Sequence, residues 1–358
     1  MPLIFKKLNI LKTRYTMKPH RRLYLTVSTV IIIITGFSYW AFWHAMKAET
    51  NVRYFGLQKM MAERMEKTFK GMEMSANNIF KEVAHHLESP EDVVKALESQ
   101  ASLNPDVRGY FAAFEPYYFK KEGRWFEPYV HHQEGKPYEM TQVGCESHDY
   151  TQSPWYVSAK EKKEAFWSDP YYYNDGTEIS GHYTTYVKPI FDKDGQLVCV
   201  CGADITFDWL DRELERINNT CINESEVNQF KMGRDLEFYT VVVNAEGTCI
   251  LHPSEKYVPI DDPKVLDDLK NGGSGKLSMI IDGTPSTLYY GPIEGLGWTV
   301  MVVMPTVDIQ KPFIYTGIIL ALLALVGILI TWLICRNLGK TKESVATSHH
   351  SSRIGSRG

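Results

Sequence analysis

Two uncharged apolar runs constrain this chain of 358 residues more than any other feature. Residues 23–45 and 312–335 contain no Lys, Arg, Asp or Glu, and the runs are 23 and 24 residues long. At about 1.5 Å per residue, a helix of either length crosses a hydrocarbon core of roughly 30 Å. We therefore predict two transmembrane helices. A cleaved signal peptide is the alternative for the first run, but that run exceeds the roughly 7 to 15 apolar residues of a signal core.

The charges are divided along the chain by these two runs. Residues 1–22 have a net charge of +7, and residues 336–358 have a net charge of +4. Because the whole chain carries −4, the segment 46–311 between the runs carries −15. Lys and Arg mark cytoplasmic flanks, so we predict a bacterial inner (plasma) membrane protein with both termini in the cytoplasm and the central segment outside. The acidic central segment also argues against nucleic acid as a partner.

The central segment begins with a helical pattern. Apolar residues recur every three or four positions from residue 46 to residue 87, which predicts one long amphipathic helix continuing from the first span. Ser89 followed by Pro90 predicts the start of a second helix, because Ser favours the N-cap and Pro the first helical position. We therefore expect a helical stalk over residues 46–104.

Two strand-rich regions follow the stalk. The first has strand patterns at 107–114, 125–131, 183–191 and 197–205, with helices at 155–164 and 207–218. The second has strand patterns at 238–243, 248–251, 275–281, 286–290 and 298–303, with a helix at 263–269. This order predicts an α+β fold in which a long N-terminal helix carries two antiparallel-sheet modules, at residues 105–220 and 221–311, between the two spans.

Four segments of the first strand-rich region resemble one known family. They are the stretches 110–116 (YFAAFEP), 154–159 (PWYVSA), 166–172 (FWSDPYY) and 189–205, which ends in Gly-Ala-Asp-Ile. In order and spacing they resemble the central strand, the pocket helix, the following strand and the closing hairpin of the double Cache (dCache) sensor domain. The resemblance implies two PAS-like Cache modules, the first distal and the second proximal to the membrane.

The resemblance also implies a ligand-binding site. Trp155 and Tyr156 would supply ring surface, and Asp175 and Asp204 would accept hydrogen bonds from an ammonium or hydroxyl group, with Tyr183 facing the same pocket. Amino-acid-binding members of the family have an Arg two positions before the Trp that clamps the ligand carboxylate. This chain has Ser153 there, which removes that bidentate clamp.

Simpler interpretations of the same residues remain open. Trp155 and Tyr156 are equally typical of core aromatic residues. Asp204 could cap the helix predicted from residue 207, and Asp175 lies in an Asn-Asp-Gly turn sequence.

The sequence has no pattern typical of a metal site or of a catalytic centre. The histidines of the central segment, at positions 131, 132, 148 and 182, lack the tight spacing of zinc ligands. The sequence also contains no Gly-x-Ser-x-Gly, no phosphate-binding loop and no kinase signature. We therefore predict no metal, no cofactor and no enzymatic activity in this chain.

These observations predict a transmembrane receptor that senses a small extracytoplasmic ligand. An interaction protein that binds a surface partner, or less favourably a membrane-tethered enzyme, is the alternative. We expect a homodimer, and Met61, Met65 and Met72 form a stripe that offers a dimer surface or packs on the chain's own modules. We also expect a cytoplasmic or membrane signalling partner.

The output of such a receptor is a separate question. The chain resembles the input half of Bacteroides-type membrane serine phosphatases of the sigma-factor-regulating family in its aromatic content and in the stretch Asp208-Trp209-Leu210. Only 23 residues follow Cys335, so the phosphatase domain of that family is missing from this stretch. Either a phosphatase, kinase or chemoreceptor domain continues the chain, or the receptor signals by lateral contact with another membrane protein.

Overall fold

The computed structural model describes residues 19–133, 135–174, 176–224, 238–251, 260–281 and 283–354. The basic segment 1–18 therefore lies outside the described residues. Residues 19–51 and 307–354 belong to one compact unit, and Val52–Thr306 form the other.

Two long helices carry the apolar runs. Helix α1 spans Pro19–His85 without a break, which confirms that the first run continues into the predicted stalk. The last helix of the chain, α6, spans Thr306–Ile354. Both helices are long and apolar enough to cross a membrane, with mean hydropathies of 1.7 and 3.0 over their most apolar stretches.

Two shorter helices begin at polar caps. Helix α2 spans Pro90–Ala101, and the Ser89 hydroxyl accepts a hydrogen bond from the backbone N–H of Asp92 at 3.2 Å. Helix α4 spans Phe207–Glu224, and the Thr206 hydroxyl accepts from the N–H of Trp209 at 3.3 Å. Each cap satisfies a backbone donor that the first helical turn leaves without a partner.

The first sheet has seven antiparallel strands in the order β3-β2-β1-β7-β6-β4, with β5 also paired to β6. Helix α3, Pro154–Lys162, packs on it. The strands are β1 Gly109–Phe114, β2 Pro128–His131, β3 Glu139–Gln142, β4 Phe166–Trp167, β5 Tyr171–Tyr173, β6 Gly181–Phe191 and β7 Leu197–Thr206. The four strands predicted from sequence are the four best buried. The strand patterns missed β3, which is fully exposed. The stretch 166–172, which resembles a single strand of the family, forms two short strands, β4 and β5, of two and three residues.

The second sheet has five antiparallel strands in the order β10-β11-β12-β8-β9, and helix α5, Pro263–Lys270, packs beside β10. Its strands are β8 Tyr239–Val243, β9 Cys249–Leu251, β10 Gly275–Ile281, β11 Thr284–Ile293 and β12 Trp298–Pro305. All five strand predictions correspond to observed strands. Both sheets belong to the unit Val52–Thr306, and α4 extends past residue 220, so the boundary between modules stays a prediction.

The apolar stripe of α1 is covered by the chain itself. Met61, Met65 and Met72 are at most 3% exposed. Phe69 lies between them and packs edge-on against Trp167 of the first sheet and Trp298 of the second, at centroid distances of 4.7 and 5.6 Å. The alternative that these methionines form a dimer surface is therefore wrong, because their side chains are buried within the chain itself.

Candidate functional site

A cavity of about 810 Å³ opens in the first sheet and is the candidate ligand site. Its inner wall is formed by β1, β2 and β7, and its sides by α3 and by the β4–β5 region. Aromatic rings and polar groups both contribute to the wall, and a concave site of this kind is typical of small-molecule binding. The aromatic lining includes Phe111, Tyr129, Trp155, Phe166, Tyr171 and Tyr183.

Asp204 lies at the inner end of the cavity, and strand register explains its position. In β7 it is paired with Gly109 of β1 on one side and with Thr185 of β6 on the other. The Thr185 hydroxyl donates to Asp204 Oδ1 at 2.6 Å, and the Tyr171 hydroxyl lies 2.8 Å from that of Thr185. The side chain therefore belongs to a buried polar network. The alternative that Asp204 caps α4 is wrong, because Thr206 makes that contact.

Glu127 is a second carboxylate in the same cavity wall, just before β2. Burial, followed by repulsion from Asp204, raises its pKa well above the ordinary value. Burial likewise raises the pKa of Asp204 to about 6, against the hydrogen bond from Thr185, which favours the charged form. Glu127 and Asp204 therefore line the same cavity, and the negative charge of one disfavours ionisation of the other.

Trp155 and Tyr156 have different surroundings although they are neighbours. Trp155 lines the cavity and packs on Phe111 at a centroid distance of 4.9 Å. Tyr156 is 2% exposed in the core and donates its hydroxyl to Glu115 at 3.0 Å. Successive residues of a helix point about 100° apart, so only one of the two faces the cavity. The position of Tyr156 does not support the expected ligand contact. Trp155 lines the cavity and also belongs to the hydrophobic core of the first sheet.

Tyr183 and Asp175 are the remaining predicted site residues, and the structure describes only the first of them. Tyr183 lines the cavity and donates its hydroxyl to the carbonyl oxygen of Ile179 at 2.7 Å. Asp175 lies outside the described residues. Ser153, at the position of the family's clamping Arg, lines the cavity as well. The structure thus brings together Ser153, Trp155, Tyr183 and Asp204.

Sequence reasoning missed several lining residues, above all Glu127 and Tyr129. Both fall in the stretch 125–131, where a single Glu among aromatic and apolar residues was an available signal. Tyr129 reaches the cavity because Gly109 has no side chain: a Cβ at Gly109 would overlap the Tyr129 ring. Pairing of strands far apart in sequence creates this arrangement, so no local pattern predicts it.

The rim of the cavity is completed by the second sheet. Asn244, Ala245 and Glu246 come from the turn after β8, and Leu296 and Gly297 come from the turn before β12. The Asn244 amide donates to Asp169 Oδ2 at 3.2 Å. Residues from both strand-rich regions therefore line the cavity.

Comparisons with known proteins agree with this geometry. Residues 93–212 match the family described as the methyl-accepting chemotaxis protein-like, first PDC sensor domain. That stretch includes the whole first sheet, α3 and the predicted site residues. No curated protein sequence matches the chain significantly.

Solved structures with the same fold are extracellular or periplasmic sensor domains. The extracellular domain described as that of the histidine kinase mmHK1S-Z3 has a TM-score of 0.59 at 19% identity, covering 73% of this chain and 97% of that one. The periplasmic sensory domain of the Campylobacter jejuni chemoreceptor Tlp1 has a TM-score of 0.56 at 17% identity, covering 75% and 99%. The ligand-binding domain of the Pseudomonas fluorescens chemoreceptor CtaA, solved with L-isoleucine, has a TM-score of 0.52 at 17% identity, covering 75% and 97%.

The fold is therefore that of the Cache, or PDC, class of sensor domains, as the resemblance predicted. Two apolar helices flank it, which is consistent with a receptor held in a membrane. The family that residues 93–212 match is a family of sensor domains.

Proposed function

We propose that this chain is a transmembrane signal-transduction receptor that binds a small extracytoplasmic ligand in the cavity beneath β1, β2 and β7. The observation that carries the proposal is the cavity itself: about 810 Å³ of space in a sensor fold, walled by rings and containing buried carboxyl groups. Trp155, Tyr183 and Asp204 are the proposed ligand contacts, with Asp175 as a further one. Amino acids are among the candidate ligands, because CtaA was solved with one.

The path to the membrane follows from chain connectivity. Strand β12 ends at Pro305 and α6 begins at Thr306, so the second sheet continues directly into an apolar helix. We propose that ligand shifts the arrangement of the rim turns, and through β12 that of α6. A ligand needs only a few kcal/mol of differential affinity to shift such an equilibrium.

Ligand screening of the full chain in detergent tests the proposal. Amino acids, organic acids, amines and sugars are added and thermal unfolding is followed. A ligand at 100 times its Kd stabilises the folded state by about 2.7 kcal/mol. The Trp155→Ala variant should lose that response, whereas Val157→Ala, which alters an exposed position of the same helix, should keep it. Lack of stabilisation by every compound class would contradict the proposal.

Membrane topology is tested separately. We propose that both termini are cytoplasmic and that the domain between α1 and α6 lies outside. A green fluorescent protein fused after residue 358 should then fluoresce, and alkaline phosphatase at the same place should be inactive. Alkaline phosphatase fused after Thr306 should be active. The reverse pattern would overturn the orientation.

Dimerisation and output complete the proposal. A homodimer would let two ligand sites act on paired membrane helices. The resemblance to the input half of sigma-factor-regulating serine phosphatases suggests a phosphatase as the output partner or as a continuation of the chain.

A further inference from the structure

The cavity contains a buried carboxyl oxygen without a hydrogen bond. Glu127 is 3% exposed, and among the described residues its Oε2 atom has no hydrogen-bond partner. The nearest cationic group is His148 Nε2, at 3.5 Å. A buried acceptor left in this way costs about 1 to 3 kcal/mol, and more when it is charged. A buried acceptor of this kind in a cavity wall indicates that a bound ligand supplies the missing hydrogen-bond donor.

The backbone around Glu127 holds this carboxyl group in place. Its N–H donates to the Gln142 side chain at 3.2 Å, and its carbonyl oxygen accepts from the N–H of Val143 at 3.0 Å. Both bonds tie the residue to the chain beside β3. These two bonds fix the backbone of Glu127 at the edge of the sheet, next to the cavity.

Tyr129 lies in the same cavity wall, and its buried hydroxyl faces the Asp204 carboxyl group, whose pKa a hydrogen bond from Tyr129 lowers. Burial, followed by repulsion from Asp204, raises the Tyr129 pKa well above its ordinary value. The cavity wall thus presents Glu127 Oε2, which lacks a hydrogen bond, near the Asp204 and Tyr129 groups.

The charges around the cavity favour a cation. Four acids line the cavity, namely Glu127, Asp169, Asp204 and Glu246. Lys162 is the one Lys or Arg in the described lining, and its ammonium group already lies over the Phe166 ring at 4.2 Å. A ligand carboxylate would therefore meet repulsion and no guanidinium, whereas an ammonium group would meet acids and ring faces.

We infer that the ligand is an organic amine without a carboxylate, that its ammonium group donates to Glu127 Oε2 and Asp204, and that Glu127 determines this specificity. The inference rests on the proposed receptor function and adds the ligand class to it. Glu127, just before β2, and Asp204, in β7, line the same cavity, so an ammonium group with several donors would satisfy both.

Binding measured by calorimetry on the full chain in detergent tests the inference. The probes are putrescine, ethanolamine and choline as amines, L-alanine as a zwitterion and succinate as an anion. We expect at least one amine to bind, and to bind about tenfold or more tightly than L-alanine and succinate, the factor that one charge-assisted hydrogen bond supplies. Glu127→Gln should weaken amine binding by a similar factor, and Glu122→Gln, an exposed acid outside the cavity, should leave it unchanged.

The outcomes separate this inference from the receptor function. If L-alanine or succinate binds and the amines do not, the amine inference is overturned and the receptor function stands. If amines bind equally well to Glu127→Gln, the role of Glu127 is overturned. If no probe of any class binds, and the wider screen is also negative, both proposals fail.

Proton release gives a readout on the wild-type chain, which covers the case that Glu127→Gln does not fold. An ammonium group favours the charged carboxylates, so amine binding should release protons and affinity should rise with pH. Calorimetry in two buffers of different ionisation enthalpy measures this release. Zero or negative release would contradict the inference. The titratable and charged groups around the acid pair, among the described residues, are Arg108, Tyr129, Cys145, His148, Lys162, Asp169, Tyr171, Tyr173, Tyr183 and Glu246.

Discussion

At the scale of single residues, the position of a carboxyl or hydroxyl group in the sheet decides its chemistry. Asp204 and Asp194 are close in sequence and identical in type, yet one is buried beside Thr185 and the other is exposed in the β6–β7 turn. Ser153 is a similar case: it precedes α3 but makes no capping hydrogen bond through its side chain. Its hydroxyl is therefore not required by the helix.

Replacing Ser153 by Arg should create amino-acid binding. The new guanidinium would extend into the cavity and form the bidentate carboxylate pair that this chain lacks, at no cost to a helix cap. We expect affinity for L-isoleucine to rise about tenfold or more, as for a hydrogen bond between charged groups. Calorimetry checks this, with Ser153→Gln as a variant of similar size without charge. Equal affinities in the two variants would contradict the clamp.

Titration of Asp204 should make the ligand-free fold less stable as pH rises from about 4 to about 6. The unfolded chain ionises this carboxyl near pH 4, whereas burial raises its pKa to about 6 in the fold, so the charged form is disfavoured there. The loss amounts to roughly 3 kcal/mol at neutral pH. Asp204→Asn keeps an acceptor for Thr185 and should remove this part of the pH dependence.

Urea unfolding of the full chain in detergent at pH 4.5 and pH 7 measures the effect. Glu127 titrates in the same direction, so the informative quantity is the difference between wild type and Asp204→Asn. The exposed variant Asp194→Asn should behave as wild type. An unchanged pH dependence in Asp204→Asn would show that the buried carboxyl is not the cause.

At the scale of elements, the register of β1 and β7 shapes the cavity. Phe111 is paired with Gly202, and a Cβ at Gly202 would overlap the Phe111 ring. The ring therefore lies over the glycine and leaves the cavity open, with Trp155 packed on its other side. Because the Phe111 ring lies close against Gly202, only its remaining surface is available to a ligand in the cavity.

Gly202→Ala should push the Phe111 ring into the cavity. Overpacking of this kind costs about 1 to 3 kcal/mol of stability, and the displaced ring should also weaken ligand binding. Gly181→Ala in β6 is the matched control, because a Cβ there meets Tyr183 at an ordinary 3.5 Å. Chemical denaturation and calorimetry measure the two effects. If Gly202→Ala matched the control in both, the ring would have room that the structure does not show.

At the scale of the whole unit Val52–Thr306, α1 joins the two sheets. Its buried face packs on the first sheet through Trp167 and on the second through Trp298, with Phe69 in contact with both rings. The Asn244–Asp169 hydrogen bond adds a second connection at the cavity rim. Because these contacts link modules that are separate in sequence, we expect the unit to unfold in one cooperative step.

Phe69→Ala should destabilise this unit as a whole. Removing a buried Phe costs about 3 to 5 kcal/mol, and here the cavity opens against both sheets at once. The fluorescence of tryptophan and the far-ultraviolet circular dichroism should therefore shift together to a lower denaturant midpoint. Met74→Ala, at a position 71% exposed on the same helix, should leave the midpoint unchanged. Separate transitions for the two signals would indicate modules that fold independently.

The sequence by itself determined the two apolar helices, the continuous α1 and nearly every buried strand. These features depend on composition and on periods of 2 or 3.6 residues, which are local. It also placed Trp155, Tyr183 and Asp204 near one site through family resemblance. Only the tertiary structure decided that Tyr156 faces the core, that Met61, Met65 and Met72 are covered, and that Glu127 meets Asp204. The reason is physical: burial and charge–charge repulsion depend on neighbours supplied by strand pairing between distant segments, and no local pattern encodes those neighbours.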